Sequence, residues 1–403
     1  MRLPAVLSVL LFLLPTLALA APAPSPQVII ELDGAHDIDD LVIRDLLDVY
    51  IRNGLTNAAD RLQRVRIGTT FRAVTLPDPG VKGREEVKTV MKDRVRRVEV
   101  EREWRLFGVQ EGAVSGLDRL DARQGLDGKF TFPDVAGQGV DVFVIDSGCD
   151  ANHPDFSNRA SVLVDLTGEG ANDLNGHGTH VASTAAGATY GVAKKANILC
   201  IKVFDQSGRG SSVNVLRALE EVSKQVAERK RPAVVNMSLG GPRAPGDGET
   251  STERAVKALT DLGVAVVVAA GNESQDACQV SPAFIPEVIT VAAIDPTSDT
   301  IASFSNFGSC VDVMASGVNI EAAAANSRGT RKLSGTSMSS PHVAGVMAVF
   351  MSQGMNHVAA ERQLIATATQ DAVKGELRGS PNRLAFIGGA SGTAKLGEPV
   401  RMA

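Results

Sequence analysis

The stretch Val142-Phe143-Val144-Ile145-Asp146 is an unbroken apolar run that ends in a carboxylate. Similar apolar runs recur through the middle of the chain, at residues 140–145, 198–204, 233–237, 264–269 and 288–292. Their hydrophobicity is continuous rather than alternating, which is typical of parallel strands buried on both faces. Helical patterns at residues 214–228 and 252–262 fit crossover helices between them. The sequence therefore predicts a doubly wound, mostly parallel α/β sheet, in which sites gather at the carboxyl ends of the strands.

Three polar residues stand at the ends of predicted elements. Asp146 ends a strand, His177 lies near a helix start in Asn175-Gly176-His177-Gly178-Thr179-His180, and Ser337 lies in a turn that leads into a predicted helix over 343–350. Each residue alone is an ordinary cap or turn residue. Together they supply what a serine nucleophile requires, because the hydroxyl needs a base and the base needs an anion that fixes its tautomer. The set indicates nucleophilic catalysis by serine.

These residues stand in four longer motifs: Val144-Ile145-Asp146-Ser147-Gly148, Asn175-Gly176-His177-Gly178-Thr179-His180-Val181-Ala182, Ser334-Gly335-Thr336-Ser337-Met338 and Pro341-His342-Val343-Ala344-Gly345. The motifs resemble those of the subtilase family, most closely its proteinase K branch, and the resemblance covers about residues 27–387. The resemblance implies Ser337 as the nucleophile, His177 as its base and Asp146 as the group that orients the base. It also implies that the Asn272 side chain donates to the oxyanion, with the backbone N–H of Ser337 as a second donor.

Two glycine-containing segments resemble the walls of the family's substrate groove. The residues expected to line it are Gly208, Arg209, Gly210, Ser238, Leu239 and Gly240. An extended peptide would lie between these walls as an added strand, and glycines suit the close approach of its backbone. The alternative is that they are two glycine-rich loops without a ligand. The family implies a broad preference for an apolar or aromatic P1 side chain, and we expect no charge-selecting pocket, although Arg209 could contact acidic substrate residues.

The beginning of the chain is typical of an exported precursor. A positive start, an apolar stretch of about 14 residues and Ala18-Leu19-Ala20 predict a signal peptide at 1–20, rather than a membrane anchor. Short strand and helix patterns at 27–107 form a predicted small α/β unit, and the resemblance implies an inhibitory propeptide at 21–107. The catalytic domain is then expected at 108–387 and a C-terminal tail at 388–403. Other possible cuts lie a few residues from 107, or at Arg96-Arg97.

The four cysteines allow three complete pairings, which spacing alone does not rank. The resemblance implies a disulfide between Cys278 and Cys310. We expect Cys149 and Cys200 to be free thiols, with an unusual disulfide as the alternative.

A structural calcium ion is also implied by the resemblance. Its ligands would be the main-chain oxygens of Pro286 and Val288 and the carboxylate of Asp312, which alternatively is a plain loop acid. No catalytic cofactor is expected.

The formal net charge of −5 and the absence of long basic runs argue against a nucleic-acid partner. We expect a secreted monomer without a membrane partner, made as a self-processing zymogen that its own propeptide inhibits, with polypeptides as its substrates. The alternative function is a secreted binding protein that keeps the subtilase scaffold without turnover. The complete Asp146, His177, Ser337 and Asn272 set argues against that alternative.

Overall fold

The computed structural model describes residues 27–33, 38–67, 71–100, 107–243 and 250–388. The chain divides at residue 104 into two compact units. The predicted signal peptide and the tail beyond residue 388 lie outside the described residues. Among the described residues, no helix combines the length and the apolar character that crossing a membrane requires.

The first unit is a four-stranded antiparallel sheet with two helices packed on one face. Its elements are β1 (Gln27–Leu32), α1 (Asp40–Arg52), a 3-10 turn (Ala58–Arg61), β2 (Gln63–Ile67), β3 (Phe71–Pro77), α2 (Gly80–Val90) and β4 (Val95–Val100). The strand order is β2-β3-β1-β4. Alternate residues of β1 are buried, as a sheet with one covered face requires. The predicted small α/β unit is confirmed. Strand β2 gives no apolar pattern in the sequence, because most of its residues are exposed and polar.

The second unit is built on a large sheet in which seven neighbouring strands run parallel. These strands are β7 (Asp141–Asp146), β8 (Ala160–Asp165), β9 (Asn197–Lys202), β10 (Ala233–Met237), β12 (Ala265–Ala269), β14 (Ile289–Asp295) and β16 (Val313–Ser316). They lie in the order β16-β14-β12-β10-β7-β9-β8. After β7 the chain forms β8 at the edge of the sheet and then β9 between β8 and β7. It then crosses to the other side of β7, where β10, β12, β14 and β16 follow one another outward. Asp146 ends the strand at this switch point, where doubly wound sheets place their sites.

Helices cover both faces of this sheet. They are α3 (Ser115–Asp121), α4 (His177–Ala186), α5 (Ser212–Arg229), α6 (Ser251–Asp261), α7 (Thr336–Ser352) and α8 (His357–Thr367). Val142 and Val144 of β7 pack in the core that contains α4 and α7, whereas Phe143 and Ile145 pack in the core that contains α5 and α6. Every residue of β7 is therefore buried, which explains its unbroken apolar run. The predicted doubly wound α/β class is confirmed.

The remaining elements are short. They are β5 (Phe107–Glu111), β6 (Lys129–Pro133), β11 (Gly241–Pro242), β13 (Val280–Ser281), β15 (Thr300–Ile301), β17 (Ile320–Ala323), β18 (Thr330–Leu333), β19 (Thr369–Gln370) and β20 (Arg383–Leu384), with 3-10 turns at Pro154–Phe156 and Ala277–Gln279. Strands β15, β19 and β20 extend the large sheet. Strands β5 and β6 pair with each other, as do β17 and β18.

The helix after the candidate nucleophile starts earlier than predicted. It begins at Thr336 rather than at 343, and Pro341 lies inside it. Proline has no N–H to donate to the carbonyl four residues earlier, so the Ser337 carbonyl loses its helical partner. The Ser238 hydroxyl donates to that carbonyl at 2.9 Å instead. This long-range contact replaces the missing bond and lets the helix run through the proline, which a local pattern cannot show.

Both pairs of cysteines form disulfides. The expected bond between Cys278 and Cys310 is confirmed, with Cα atoms 5.3 Å apart. The expectation of free thiols at Cys149 and Cys200 is wrong, because these two residues are bonded with Cα atoms 6.0 Å apart. Cys200 lies in β9 and Cys149 follows the adjacent strand β7, so sheet pairing brings together two residues that are 51 positions apart.

Candidate active site

The candidate catalytic residues meet in one pocket. Asp146, His177, Asn272 and Ser337 all line a cavity of about 630 Å³. Asp146 ends β7, His177 begins α4, and Ser337 is the second residue of α7. The pocket thus lies where parallel strands end and helices begin, the position that the sequence predicted for a site.

Asp146 and His177 form a hydrogen-bonded pair. Nδ1 of His177 lies 2.8 Å from Oδ1 and 3.0 Å from Oδ2 of Asp146. Asp146 is completely buried, and its Oδ1 also accepts the N–H of Ser147 at 2.7 Å. A carboxylate only accepts hydrogen bonds, so Nδ1 carries the proton and Nε2 keeps a free lone pair. The imidazole side chain is 30% exposed, so it remains open to the pocket.

The charges around His177 favour its protonated form. Burial alone lowers the pKa of the imidazole, but the charge and hydrogen bond of Asp146, together with the charge of Asp173, outweigh burial. Arg331 opposes them. The resulting pKa lies above the ordinary value of 6.5. An imidazole with a raised pKa is a stronger proton acceptor at neutral pH than a free imidazole.

Ser337 is held by the loop after β10. Its hydroxyl lies 3.5 Å from the Ser238 carbonyl, and its own carbonyl accepts the Ser238 hydroxyl at 2.9 Å. The N–H groups on either side of Ser337 have acceptors: Thr336 donates to Asn272 at 2.8 Å and Met338 to Gly335 at 3.0 Å. The first N–H groups of a helix lack intrahelical acceptors, so the Ser337 N–H is placed to donate to an anion.

The amide of Asn272 is oriented by Thr336, which the sequence analysis did not single out. Oδ1 of Asn272 accepts both the N–H of Thr336 at 2.8 Å and its hydroxyl at 3.0 Å. The Thr336 hydroxyl in turn accepts the N–H of Gly271 at 3.1 Å. With its oxygen engaged, Asn272 offers its NH₂ group as the donor. Thr336 stands beside Ser337 in the quoted motif, but only the fold shows that it contacts Asn272.

Most predicted groove residues lie at the pocket. Gly208, Ser238, Leu239 and Gly240 line it. Gly210 lines an adjoining cavity of about 600 Å³, which shares Leu239 and Gly240 with the first one. Arg209 is exposed, and its backbone closes a turn with Asp205 through two hydrogen bonds of 2.9 Å.

Glu273 was also missed, and it brings a carboxylate to the lining of the pocket. Oε2 of Glu273 accepts the N–H of Asn272 and the amide of Asn306, each at 2.9 Å. Glu273 therefore also supports the loop that carries Asn272.

Two of the three predicted calcium ligands lie at the amino-terminal ends of neighbouring strands of the large sheet. Val288 directly precedes β14, and Asp312 directly precedes the parallel strand β16. Pro286 lies two residues before Val288 in the chain. Oδ2 of Asp312 accepts the N–H of Thr290 at 2.8 Å. Burial raises the pKa of Asp312 to about 6, despite this hydrogen bond. A cation would compensate such a desolvated carboxylate, so the position of Asp312 fits the proposed ion.

In the described ranges, no group of three or more His, Cys, Asp or Glu side chains is arranged to hold a metal. Main-chain oxygens would therefore have to complete the ligand set.

Comparison with known proteins establishes the family of the chain. Residues 137–385 match the model of the subtilase family, Peptidase S8. The chain belongs to the subtilase family and is a serine endopeptidase. The family resemblance seen in the motifs is thereby confirmed.

The similar proteins include fungal and bacterial proteinases. Proteinase T from Parengyodontium album is 43% identical over 252 residues, which cover 62% of this chain and 84% of that protein. The extracellular serine proteinase from Thermus sp. (strain Rt41A) is 40% identical over 321 residues, or 78% of this chain and 74% of that protein. A crystal structure of a cold adapted subtilisin-like serine proteinase superposes with a TM-score of 0.63 at 38% identity, covering 68% of this chain and 98% of the other.

The contact between Asp146 and His177 should be measurable as a raised pKa of His177. In the full chain carrying Ser337→Ala, NMR should show His177 titrating above 6.5, since Asp146 and Asp173 outweigh burial. Adding Asp146→Asn removes the largest attractive charge, so the pKa of His177 should fall. His357, whose pKa burial lowers, serves as the internal control and should not move. Equal His177 titration with and without Asp146→Asn would show that the two residues are not electrostatically coupled.

Proposed function

We propose that this subtilase is a secreted endopeptidase in which Ser337 attacks the peptide carbonyl and His177 and Asp146 activate it. The observation that carries the proposal is the convergence of Asp146, His177, Ser337 and Asn272 on one pocket, with Nδ1 of His177 2.8 Å from Asp146.

In the proposed mechanism, Nε2 of His177 takes the proton of the Ser337 hydroxyl as its oxygen attacks the substrate carbonyl. Asp146 keeps Nδ1 protonated and stabilises the imidazolium that forms. His177 then returns the proton to the leaving amine, which departs and leaves an acyl group on Ser337. Water attacks this ester by the same route, with His177 again acting first as base and then as acid.

Negative charge develops on the carbonyl oxygen during each attack. The NH₂ group of Asn272 and the backbone N–H of Ser337 are the donors for this oxygen. Thr336 holds the orientation of Asn272, so the donors are in place before the charge appears. Preorganised donors are the largest single contribution in many enzymes, and the loss of one costs ~10²–10³ in turnover.

The substrate is proposed to bind as an extended strand between the segments at 208–210 and 238–240. Main-chain hydrogen bonds would then give affinity without regard to side-chain sequence. The pocket wall includes Ala269, Val280 and Leu239, which supports a preference for apolar or aromatic P1 side chains. Glu273 lines the same pocket, and its carboxylate would additionally allow a basic P1 residue.

The proposed chemistry makes a direct activity prediction. The chain should hydrolyse a peptide amide with an apolar P1 residue, and Ser337→Ala should abolish this activity. Asp146→Asn should keep the fold but lower kcat by roughly 10⁴, because the imidazole loses the anion that orients it. A fall of less than about tenfold would remove Asp146 from this role. Binding of the peptide without any hydrolysis by wild type would favour the alternative of a non-enzymatic binding protein.

Export and processing form the second part of the proposal. The segment at 1–20 would direct secretion, which the extracellular Thermus relative supports. Residues 21–107 would act as an inhibitory propeptide, supported by the separate compact unit that ends at residue 104. A detachable folding aid suits a parallel sheet, whose contacts are distant in sequence and slow to form. The catalytic domain would then be 108–387, with 388–403 as its tail.

Self-cleavage is proposed between Phe107 and Gly108, at the first residue of β5. Phe107 would be the P1 residue and Trp104 the P4 residue, which suits an apolar groove. Trp104 is the single tryptophan of the chain, so the mature enzyme should show no tryptophan emission. A Ser337→Ala precursor should remain uncut and keep its emission. Tryptophan emission from homogeneous, active mature enzyme would disprove this boundary, and normal processing of Ser337→Ala would assign the cut to another protease.

A structural calcium ion is proposed at Pro286, Val288 and Asp312. An ion bound only by the folded state adds stability of RT ln(1 + [Ca²⁺]/Kd), or about 2.7 kcal/mol at a hundredfold excess over Kd. Chelation should therefore lower the Tm of wild type, and Asp312→Ala should remove most of that sensitivity. The control is Asp295→Ala, since Asp295 ends β14 and bonds within its own turn. Equal chelator responses in wild type and Asp312→Ala would show that the site lies elsewhere.

A further inference from the structure

Asp173 is a buried carboxylate that the proposed mechanism does not use. It lies four residues before His177 and is 1% exposed. Its Oδ1 accepts the Ser147 hydroxyl at 2.9 Å and the Gly176 N–H at 2.7 Å. Its Oδ2 accepts the N–H of Thr179 at 2.8 Å and the Thr179 hydroxyl at 2.6 Å. Each oxygen therefore receives two donors, so the acceptor capacity of the carboxylate is filled.

The two hydroxyls that donate to Asp173 also join two segments of the site. The Ser147 hydroxyl accepts the N–H of Gly178 at 2.9 Å, and the Thr179 hydroxyl accepts the N–H of Asp150 at 2.9 Å. Ser147 and Asp150 follow β7, whereas Gly178 and Thr179 belong to α4. Each hydroxyl thus gives its proton to Asp173 and its lone pair to the opposite segment. The carboxylate orients both cross-links at once.

We propose that Asp173 is a positioning residue that holds the end of β7, with Asp146, against the start of α4, with His177. Ser147 adjoins Asp146 in sequence and Gly178 adjoins His177, so a shift between the two segments changes the contact between Asp146 and His177 directly. The inference rests on the proposed function. Asp173 acts through the backbone and the two hydroxyls, and takes no part in proton transfer.

An asparagine side chain cannot replace this carboxylate. The Asp173→Asn variant would have one oxygen and one NH₂ group at the positions of Oδ1 and Oδ2. One of those positions faces the backbone N–H of Gly176 and the other faces the backbone N–H of Thr179. A hydroxyl can rotate to accept a hydrogen bond, but a backbone N–H cannot. Either orientation of the amide therefore places two donors against each other in a buried site, and the segments must separate.

Asp173 also contributes to the field at His177. The charged and titratable groups around the imidazole are Asp146 from β7, Asp173 before α4, His180 within α4 and Arg331 from β18. Burial lowers the pKa of His177, and Asp146 and then Asp173 raise it. Removing the charge of Asp173 should lower this pKa. Because the base must be neutral to act, the acid limb of the profile of kcat/KM against pH should then move to lower pH.

The test compares Asp173→Asn with Asp155→Asn, both in the full chain. Asp155 is a matched control because it is 5% exposed and also joins α4, accepting the Ser183 hydroxyl and the N–H of Thr189, each at 2.7 Å. Asp173→Asn should lower kcat by about 10² at unchanged KM, as expected for a misplaced catalytic group, and should shift the acid limb downward. Asp155→Asn should lower Tm while leaving kcat and the acid limb at wild-type values.

The proposal would be overturned if both variants have a lower Tm but Asp173→Asn keeps the wild-type kcat and the wild-type position of the acid limb. If Asp173→Asn does not fold, Ser147→Ala and Thr179→Val each remove one cross-link while the carboxylate stays. Both should lower kcat at unchanged KM, and wild-type kcat in both would reject the inference.

A readout without turnover separates this inference from the proposed function. In the full chain with Ser337→Ala, the His177 pKa measured by NMR should be lower when Asp173→Asn is added. An inactive wild type would refute the proposed function, yet this titration would still be readable. An unchanged His177 pKa would be sufficient to overturn the proposed role of Asp173, whatever the activity of the wild type.

Discussion

The burial of β7 on both faces is the constraint on which the site depends. Asp146 ends this strand and has no exposed surface, so its charge must be compensated by hydrogen bonds. Nδ1 of His177 and the N–H of Ser147 supply them. The same contact that satisfies a buried carboxylate also fixes the tautomer of the imidazole. The contact between Asp146 and His177 therefore serves both fold stability and the proposed chemistry. The strand order places this contact at the topological switch point of the sheet.

The nucleophile and the oxyanion donors depend on a second set of contacts, between α7 and two loops. The Ser238 hydroxyl replaces the helical hydrogen bond that Pro341 removes, and Thr336 orients Asn272. Both contacts engage helix α7 at or beside Ser337. They hold the reacting groups still, which is what preorganised catalysis requires. The site is thus assembled from one strand end, two helix starts and the loops between them, each held by hydrogen bonds to another.

The sequence predicted the sheet and the four candidate residues because both leave local signals. Apolar runs report strands covered on both faces, and Asp146, His177 and Ser337 stand within long ordered motifs. The start of α7, the bond between Cys149 and Cys200, and the roles of Thr336 and Asp173 left no such signal. Each depends on a partner far away in sequence: the Ser238 hydroxyl, a neighbouring strand, the Asn272 amide or the hydroxyl of Ser147. Local patterns report burial and propensity, whereas these contacts exist only after the chain has folded.

In the proposed mechanism, the pocket activates one serine hydroxyl among many. Mass spectrometry of the chain after reaction with a fluorophosphonate tests this, because the reagent phosphonylates an activated serine with loss of fluoride. We expect one adduct per chain, on the peptide that contains Ser337, and much slower labelling in His177→Ala, which lacks the base. An adduct on another serine of the pocket, such as Ser147 or Ser238, or labelling that does not depend on His177, would contradict this mechanism.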